Sequence, residues 1–199
     1  MARIAVVIDE VLRNGLAQEL RSAGFKKAAR TWRKCVAELT QVTNVQASWT
    51  NHGDAGQFTI NLGVYFPEAV RLFGLWAVKD KPGESDCIVH QRIGLLMPPL
   101  TDFWWTVNPG TNLESLGHEV GRAWRAHGLP WLDAHTDPVV ARDWLKKKSL
   151  LWAAIFSVVT GDRATGRELF EQAVAESRGT AFEQHIDLWR ANLRFASAG

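Results

Sequence analysis

The sequence of 199 residues has few of the features that mark membrane, secreted or zinc-binding proteins. Cysteine occurs only at Cys35 and Cys87, outside any C-x-x-C motif, and no two histidines stand four residues apart, so we predict no metal site. No apolar run approaches the roughly 20 residues that cross a bilayer. The acidic pair Asp9-Glu10 also interrupts the apolar start before a signal peptide can form. We therefore expect a cytoplasmic protein with no membrane partner, whose cysteines are small buried thiols rather than a disulfide.

Catalytic motifs are equally scarce. The G-x-S-x-G nucleophile motif is absent, and residues 161–168 have the glycine spacing of a phosphate-binding loop but Arg-Glu where that loop needs Lys-Ser/Thr. The carboxylates Asp80, Glu84 and Asp86 fall in a turn that we expect to be solvated, where nothing raises their pKa for acid-base catalysis. These observations predict neither a catalytic residue nor a cofactor.

Charge is distributed unevenly along the chain. Residues 1–36 carry eight basic and three acidic side chains, residues 37–145 carry seven and twelve, and residues 146–199 carry eight and six. A nucleic-acid-binding domain usually has a clearly positive face. Here the basic segment is balanced by an acidic one, so a nucleic-acid partner is disfavoured. The basic cluster at 26–34 is interpreted as a solvated helix end and edge strand, with an anion-facing patch as the alternative.

The first two thirds of the chain alternate between helical and strand patterns. Apolar spacing predicts a helix over residues 4–23, weakened at Asn14-Gly15, and a second helix from a capping box at Thr111 to Gly128. Between them, alternating or short apolar runs predict strands over residues 31–36, 39–49, 58–66, 87–96 and 102–107. The regular alternation of 58–66 indicates a strand with one buried face. The predicted fold is α+β, with an antiparallel sheet covered on one face by helices.

The remainder of the chain has helical patterns only. Asp137-Pro138 is a helix start signal, and the following segments predict helices over residues 138–145, 149–160, 163–177 and 181–195. We interpret residues 1–133 as a sheet domain and residues 134–199 as a C-terminal helical extension packed on it, the two forming one structural unit.

The chain is rich in tryptophan, with ten Trp against one Tyr. Such an excess suggests buried or stacking rings rather than phenol chemistry. Trp32 and Trp49 fall on or near predicted strand faces. Apolar stripes predict core positions for Trp124, Trp144, Trp152 and Trp189. The adjacent pair Trp104 and Trp105 remains as functional candidates, of which one at most can line a given pocket because neighbouring strand residues face opposite ways.

Three polar residues on predicted strands complete the candidate binding set, namely Gln46, Asn61 and Arg92. An arginine on a central strand is costly unless it is paired or faces a cleft. If Arg92 faces the side without helices, then Arg92 and Trp104 or Trp105 form a concavity suited to an anionic or planar ligand. The competing interpretation is that Arg92 is paired with an acidic neighbour such as Asp102.

Five sequence landmarks resemble those of a bacterial family of small cytoplasmic domains of unknown function. They are GFKK at 24–27, QAS at 46–48, QFTINLGVY at 57–65, RIG at 92–94 and DFWW at 102–105. The resemblance covers roughly Leu12 to Trp144. It implies an α+β domain with an antiparallel sheet, and it carries no catalytic residues over to this chain.

The function predicted from these features is that of a non-enzymatic binding or interaction protein with a protein partner. By analogy of size and character, an immunity-like protein that neutralises a toxin is one form of this prediction. The alternative is a small enzyme or ligand-sensing domain that uses the Arg92 and Trp concavity. A third hypothesis, single-stranded nucleic-acid binding by stacking on exposed tryptophans, ranks below both.

Overall fold

In the computed structural model, which describes residues 3–195, six strands form one antiparallel sheet. The strands are β1 (Lys26–Ala28), β2 (Thr31–Val36), β3 (Leu39–Ala47), β4 (Gly56–Tyr65), β5 (Val89–Arg92) and β6 (Trp105–Val107). Their order is β1-β2-β3-β4-β5, and β6 pairs with β4 outside this order. The predicted α+β class with an antiparallel sheet is confirmed.

Helices lie before β1, between β4 and β5, and after β6. They are α1 (Arg3–Arg13), α2 (Leu16–Ser22), α3 (Pro67–Phe73), α4 (Leu113–Ala123), α5 (Leu129–Ala134), α6 (Pro138–Leu145), α7 (Leu150–Val159), α8 (Arg163–Ser177) and α9 (Ile186–Asn192). A π-helical segment, Trp124–Gly128, joins α4 to α5. None of the helices within residues 3–195 is long and apolar enough to cross a membrane.

The chain divides into two units. The first, called the sheet unit below, joins the chain up to Tyr65 to the segment Pro82–Ala134. The second, called the helical unit, joins the segment Phe66–Lys81 to the chain from His135 onward. The helical unit therefore includes α3, which the sequence places with the sheet domain. The predicted packing of the two parts stays a prediction.

One face of the sheet forms the core of the sheet unit together with α1, α2, α4 and α5. Trp32, Ile60 and Leu62 on this face are fully buried. Polar groups among them are paired with the helical layer: the indole Nε1 of Trp124 donates to Thr43 Oγ1 at 3.2 Å, and Gln41 Nε2 donates to Asp133 Oδ1 at 2.9 Å. These bonds satisfy polar groups that burial would otherwise penalise.

Strand β4 is buried on both faces, contrary to the predicted single buried face. All eight residues from Phe58 to Tyr65 are buried. The second face is covered by loops rather than helices. A Cβ at Gly63 would lie 2.8 Å from Cys87 Sγ, and Thr59 Oγ1 donates to the carbonyl of Phe103 at 2.9 Å. The loops before β5 and before β6 thus pack directly on the strand.

The core of the helical unit is built around α7. Its residues from Trp152 to Ser157 are buried, as the nearly all-apolar sequence predicts. Phe66, which precedes α3, contacts Phe156 edge to face at a centroid distance of 4.7 Å. The start signals are confirmed at Asp137, whose carboxylate accepts from Val139 N, and helix α8 has the predicted bounds.

Several predicted boundaries are wrong. The first helix breaks at Asn14 and Gly15, where Gly15 has a non-helical conformation. The cap of α4 is Asn112 rather than Thr111, since Asn112 Oδ1 accepts from Ser115 N. The predicted strand over 87–96 is paired only at Val89–Arg92 and then turns into a 3₁₀ helix.

The placement of cysteine and tryptophan also differs in part from expectation. Both cysteines are free thiols, but only Cys87 is buried, whereas Cys35 on β2 is exposed. Trp124, Trp152 and Trp189 are core residues as predicted, whereas Trp144 is only half-buried. Trp49 follows β3 and is 95% exposed.

Candidate functional site

A row of polar side chains crosses four strands on the face of the sheet opposite the helices. In the register of the sheet, Thr31 on β2 is opposite Asn44 on β3, which is opposite Asn61 on β4, which is opposite Arg92 on β5. Directly opposite residues in an antiparallel sheet share a face, so the four side chains lie side by side. Asn44 Nδ2 donates to Thr31 Oγ1 at 2.9 Å, which closes one end of the row.

At the other end of the row, Arg92 makes hydrogen-bond contacts with three side chains. Its Nε donates to Asn61 Oδ1 at 3.2 Å, and its Nη2 lies 3.4 Å from Gln46 Oε1. Its Nη1 donates to both carboxylate oxygens of Asp102 at 2.8 Å. The pairing of Arg92 with Asp102, which the sequence left as one of two interpretations, is therefore present.

Asn61 and Trp104 fix the position of the guanidinium. Asn61, only 6% exposed, donates through Nδ2 to Gln46 Oε1 at 2.8 Å while accepting from Arg92. The ring centroid of Trp104 lies 5.1 Å from Arg92 Cζ, within the range of a cation–π contact. We call Gln46, Asn61, Arg92, Asp102 and Trp104 the Arg92 cluster. Four of its members are predicted binding residues, and the fifth, Asp102, is the predicted partner of Arg92. They meet because the β4 register and the loop before β6 bring them together.

The structure places Trp105 away from this cluster. It lies on the core face, only 2% exposed, stacked against Phe58 at a centroid distance of 5.7 Å. Its Nε1 donates to Glu119 Oε1 at 2.9 Å, which anchors α4 on the sheet. Trp104 and Trp105 therefore have different roles, one at the polar face and one in the core.

The cluster is half open to solvent and carries little net charge. The side chain of Arg92 is 30% exposed and that of Asp102 is 56% exposed. The hydrogen bond from Arg92, helped by one from Trp104, holds the pKa of Asp102 below its usual range. Asp102 is thus ionised at neutral pH and neutralises Arg92, so an anionic ligand at the guanidinium has to compete with this carboxylate.

Near the cluster lies Glu84, a carboxyl that the sequence analysis predicts to be solvated. The turn at Glu84–Asp86 packs against β4, with the Cα of Glu84 3.8 Å from the position of a Cβ on Gly63. Burial raises the pKa of Glu84, and the electrostatic influence of the neighbouring His90 and Arg92 side chains opposes that rise. The prediction that this turn is solvated and its carboxyls ordinary is wrong for Glu84, because a glycine on β4 lets the turn approach the strand.

Cys87 lies beside Glu84 as a protected thiol. It donates to the carbonyl of Gly83 at 3.3 Å, and burial, followed by the charges of Glu84 and Asp86, raises its pKa. His90 Nδ1 is within 2.9 Å of the carbonyl oxygen of Cys87 and 3.9 Å from Glu84 Oε1. A thiol with a raised pKa is a weak nucleophile. Within the described residues, no group of three or more His, Cys, Asp or Glu side chains is placed to hold a metal ion.

Comparison with known proteins gives one match. The profile of a domain of unknown function, DUF4304, matches residues 16–134. The matched stretch includes all six strands and every member of the Arg92 cluster. No curated protein and no solved structure matches the chain.

Proposed function

This chain belongs to the DUF4304 family of domains of unknown function, and we propose that it is a non-enzymatic binding module that recognises a protein partner through the Arg92 cluster. The observation that carries the proposal is the fixed orientation of Arg92 and Trp104 on a half-exposed surface. Arginine and tryptophan are among the residues that contribute most to protein interfaces, above all where neighbouring groups hold them in place.

The surroundings of Arg92 favour recognition over catalysis. The guanidinium already donates to Asn61 and Asp102, so it offers a preformed polar surface rather than a free positive charge. The nearby thiol of Cys87 is buried with a raised pKa, which makes it a weak nucleophile. A partner would contact the exposed carboxylate of Asp102, the ring of Trp104 and the amide of Gln46 without rearranging the sheet.

Site-specific photo-crosslinking tests the proposal. We would replace Gln46, which is exposed on the polar face, with photoreactive benzoylphenylalanine and irradiate cells of the native host. The matched control carries the same amino acid in place of Glu38, which is exposed in the turn before β3. We expect one protein to be cross-linked through position 46 and not through position 38.

The captured protein is then purified and its binding measured by calorimetry. Trp104→Ala should weaken binding by about tenfold or more, the loss typical of an interface hot spot. Trp49→Ala removes an indole that is 95% exposed beyond β3, beside α1, and should leave the affinity unchanged. Equal affinity of the wild type and Trp104→Ala, or cross-linking that does not depend on position, would contradict the proposal.

An immunity-like role is the more specific form of this proposal. Its partner would be a bacterial toxin that is neutralised by the complex. Free thiols at both Cys35 and Cys87 support action in a reducing compartment such as the cytoplasm. Co-expression with a toxin encoded in a neighbouring gene should restore growth, and Trp104→Ala should abolish that rescue; growth inhibition that persists with the wild type would contradict this role.

The second candidate function is small-ligand sensing at the same cluster. It is favoured by the contact between Arg92 and the Trp104 ring, which suits a planar carboxylate. Because the Asp102 carboxylate is already paired with the Arg92 guanidinium, the Asp102→Asn variant should bind benzoate more tightly than the wild type does. Calorimetry that detects no benzoate binding to either protein would exclude this form of ligand sensing.

A further inference from the structure

The helical unit contains a cluster of aromatic rings, separate from the Arg92 cluster, that the sequence analysis did not single out. Phe73 at the end of α3 stacks on Trp152 of α7 at a centroid distance of 4.6 Å and on Trp189 of α9 at 5.6 Å. Trp76, in the connection after α3, lies 4.7 Å from Phe73 and 5.6 Å from Trp152. Four aromatic rings from four segments therefore form one continuous group.

Part of this group lines a cleft with a volume of about 360 Å³. Phe73 and Trp152 are 3% and 8% exposed and lie at its base, whereas Trp76 and Phe182 are 49% and 55% exposed and lie at its rim. Ligand-binding clefts of roughly 300–1,000 Å³, lined by aromatic residues and a few polar groups, are typical of small-molecule sites. A cleft of this size admits a planar ring system.

The rim of the cleft carries one acidic and one basic side chain, Glu176 and Lys148. Glu176 near the end of α8 lines the cleft and is exposed, and among the described residues it has no hydrogen bond or ion pair. The N-terminus of α7 and the C-terminus of α8 both line the cleft, so their opposite helix-dipole potentials offset each other there. Lys148, the basic residue on the opposite rim, is held 4.0 Å above the ring of Trp144.

We propose that this cleft, here called the aromatic cleft, binds a planar aromatic molecule that carries a protonated amine. The rings of Trp76 and Trp152 supply stacking surfaces, and aromatic faces attract a cation. The carboxylate of Glu176 supplies the opposite charge. This site lies in the helical unit and is independent of the Arg92 cluster, so either proposal stands or fails without the other.

The test uses three probes that share an indole ring and differ in charge, namely tryptamine, indole and indole-3-acetate. Calorimetry on the full chain should give the tightest binding for tryptamine, weaker binding for indole and the weakest for indole-3-acetate. Indole N–H signals in ¹H–¹⁵N NMR spectra locate the site, because Trp76 and Trp152 should shift with tryptamine while Trp49 and Trp104 should not. Failure of all three probes to bind, or tightest binding of indole-3-acetate, would overturn the proposal.

Variants separate the two contributions. Trp76→Ala should lower the affinity for tryptamine by about fivefold or more, as expected for loss of a stacking ring. Trp76→Phe should retain most of it, and Phe182→Ala, at a more exposed ring, provides a second test with little risk to folding. Glu176→Gln should lower the affinity for tryptamine by about two- to fivefold and leave that for indole unchanged, in line with an exposed ion pair.

The matched control for the charge change is Glu38→Gln, at an exposed carboxylate of the sheet unit. It should not affect any of the three probes. An equal loss in Glu38→Gln and Glu176→Gln, or tryptamine binding that survives both Trp76→Ala and Phe182→Ala, would show that the amine binds elsewhere and would contradict the proposal.

Discussion

Arg92 and Asp102, ten residues apart in sequence, form an ion pair in which Nη1 of the arginine donates to both carboxylate oxygens at 2.8 Å. Arg92 ends β5 and Asp102 lies in the loop before β6, so the pair ties this loop to the sheet. The same loop carries Trp104, whose ring contacts the guanidinium. The ion pair thus determines how the exposed part of the cluster is presented.

The titration of Asp102 should report this ion pair. Chiefly because of the hydrogen bond from Arg92, its pKa lies below the ordinary value, and Arg92→Gln should raise it toward that value. The carboxyl carbon signal in NMR spectra measures both. Asp143, whose pKa is lowered by Arg142, should titrate identically in both proteins, and an unchanged Asp102 would contradict the assignment.

The same shift fixes the direction of a pH effect on stability. A carboxyl whose pKa is lower in the folded than in the unfolded chain stabilises the fold above its unfolded pKa of about 3.9. That contribution is lost as the pH falls through the folded pKa. The difference in unfolding free energy between the wild type and Asp102→Asn should therefore shrink below about pH 4. This difference in unfolding free energy should be small at every pH, since the carboxylate is 56% exposed.

Truncation of Trp105 should lower stability much more than truncation of Trp104. Trp105 is buried against Phe58, and Trp105→Ala should lower the unfolding free energy by about 3–5 kcal/mol. Trp104 is half-buried, and Trp104→Ala should cost about 1 kcal/mol or less, the value of an exposed cation–π contact. Urea unfolding measures both, and equal losses would contradict the placement of the two rings on different faces.

The close contact between α1 and α4 predicts that alanine in place of Gly117 destabilises the fold. A Cβ on Gly117 of α4 would lie 2.6 Å from the carbonyl oxygen of Val11 in α1. Alanine normally stabilises a helix relative to glycine by about 1 kcal/mol, but here the clash should reverse the sign. We expect Gly117→Ala to lower the unfolding free energy by about 1–3 kcal/mol. Thermal and urea unfolding measure this change.

Gly83→Ala is the control for that experiment. Its Cβ would meet no atom closer than Asp86 Oδ2 at 3.5 Å, and its φ of −84° suits any residue. It should leave stability nearly unchanged. A stable Gly117→Ala variant would show that α1 and α4 lie farther apart than the structure places them.

The two thiols should react at different rates with a disulfide reagent. Cys35 is exposed, whereas burial and neighbouring carboxylates raise the pKa of Cys87, so few Cys87 thiolates form. We expect one fast thiol and one at least about tenfold slower near pH 8. Cys35→Ser should remove the fast reaction. A fast reaction that remains in Cys35→Ser would contradict the burial of Cys87.

Local signals in the sequence were sufficient for much of the secondary structure. The cap at Asp137, the apolar run after Ser149 and the amphipathic pattern of α8 are encoded in adjacent residues, and the structure has these helices where predicted. The alternation in β4 likewise predicted a strand. Such patterns are reliable when neighbouring residues alone determine the element.

Predictions failed where distant segments decide the outcome. The strand predicted over 87–96 ends at Arg92, and the residues that follow, Ile93–Leu96, form a 3₁₀ helix. The turn at Glu84 packs against β4 because Gly63, about twenty residues earlier, leaves room for it. Trp49 is exposed because the chain leaves the sheet after Ala47.

By itself the sequence determined the α+β class, most helix and strand positions, and three strand residues that meet in the Arg92 cluster, Gln46, Asn61 and Arg92. Periodicity and caps encode these features locally. The tertiary structure decided that Arg92 pairs with Asp102, that Trp104 contacts Arg92 while Trp105 lies in the core, and that Trp76 and Trp152 line a cleft. Register, loop path and helix packing set these contacts, and they depend on residues far apart in the chain that no local pattern brings together.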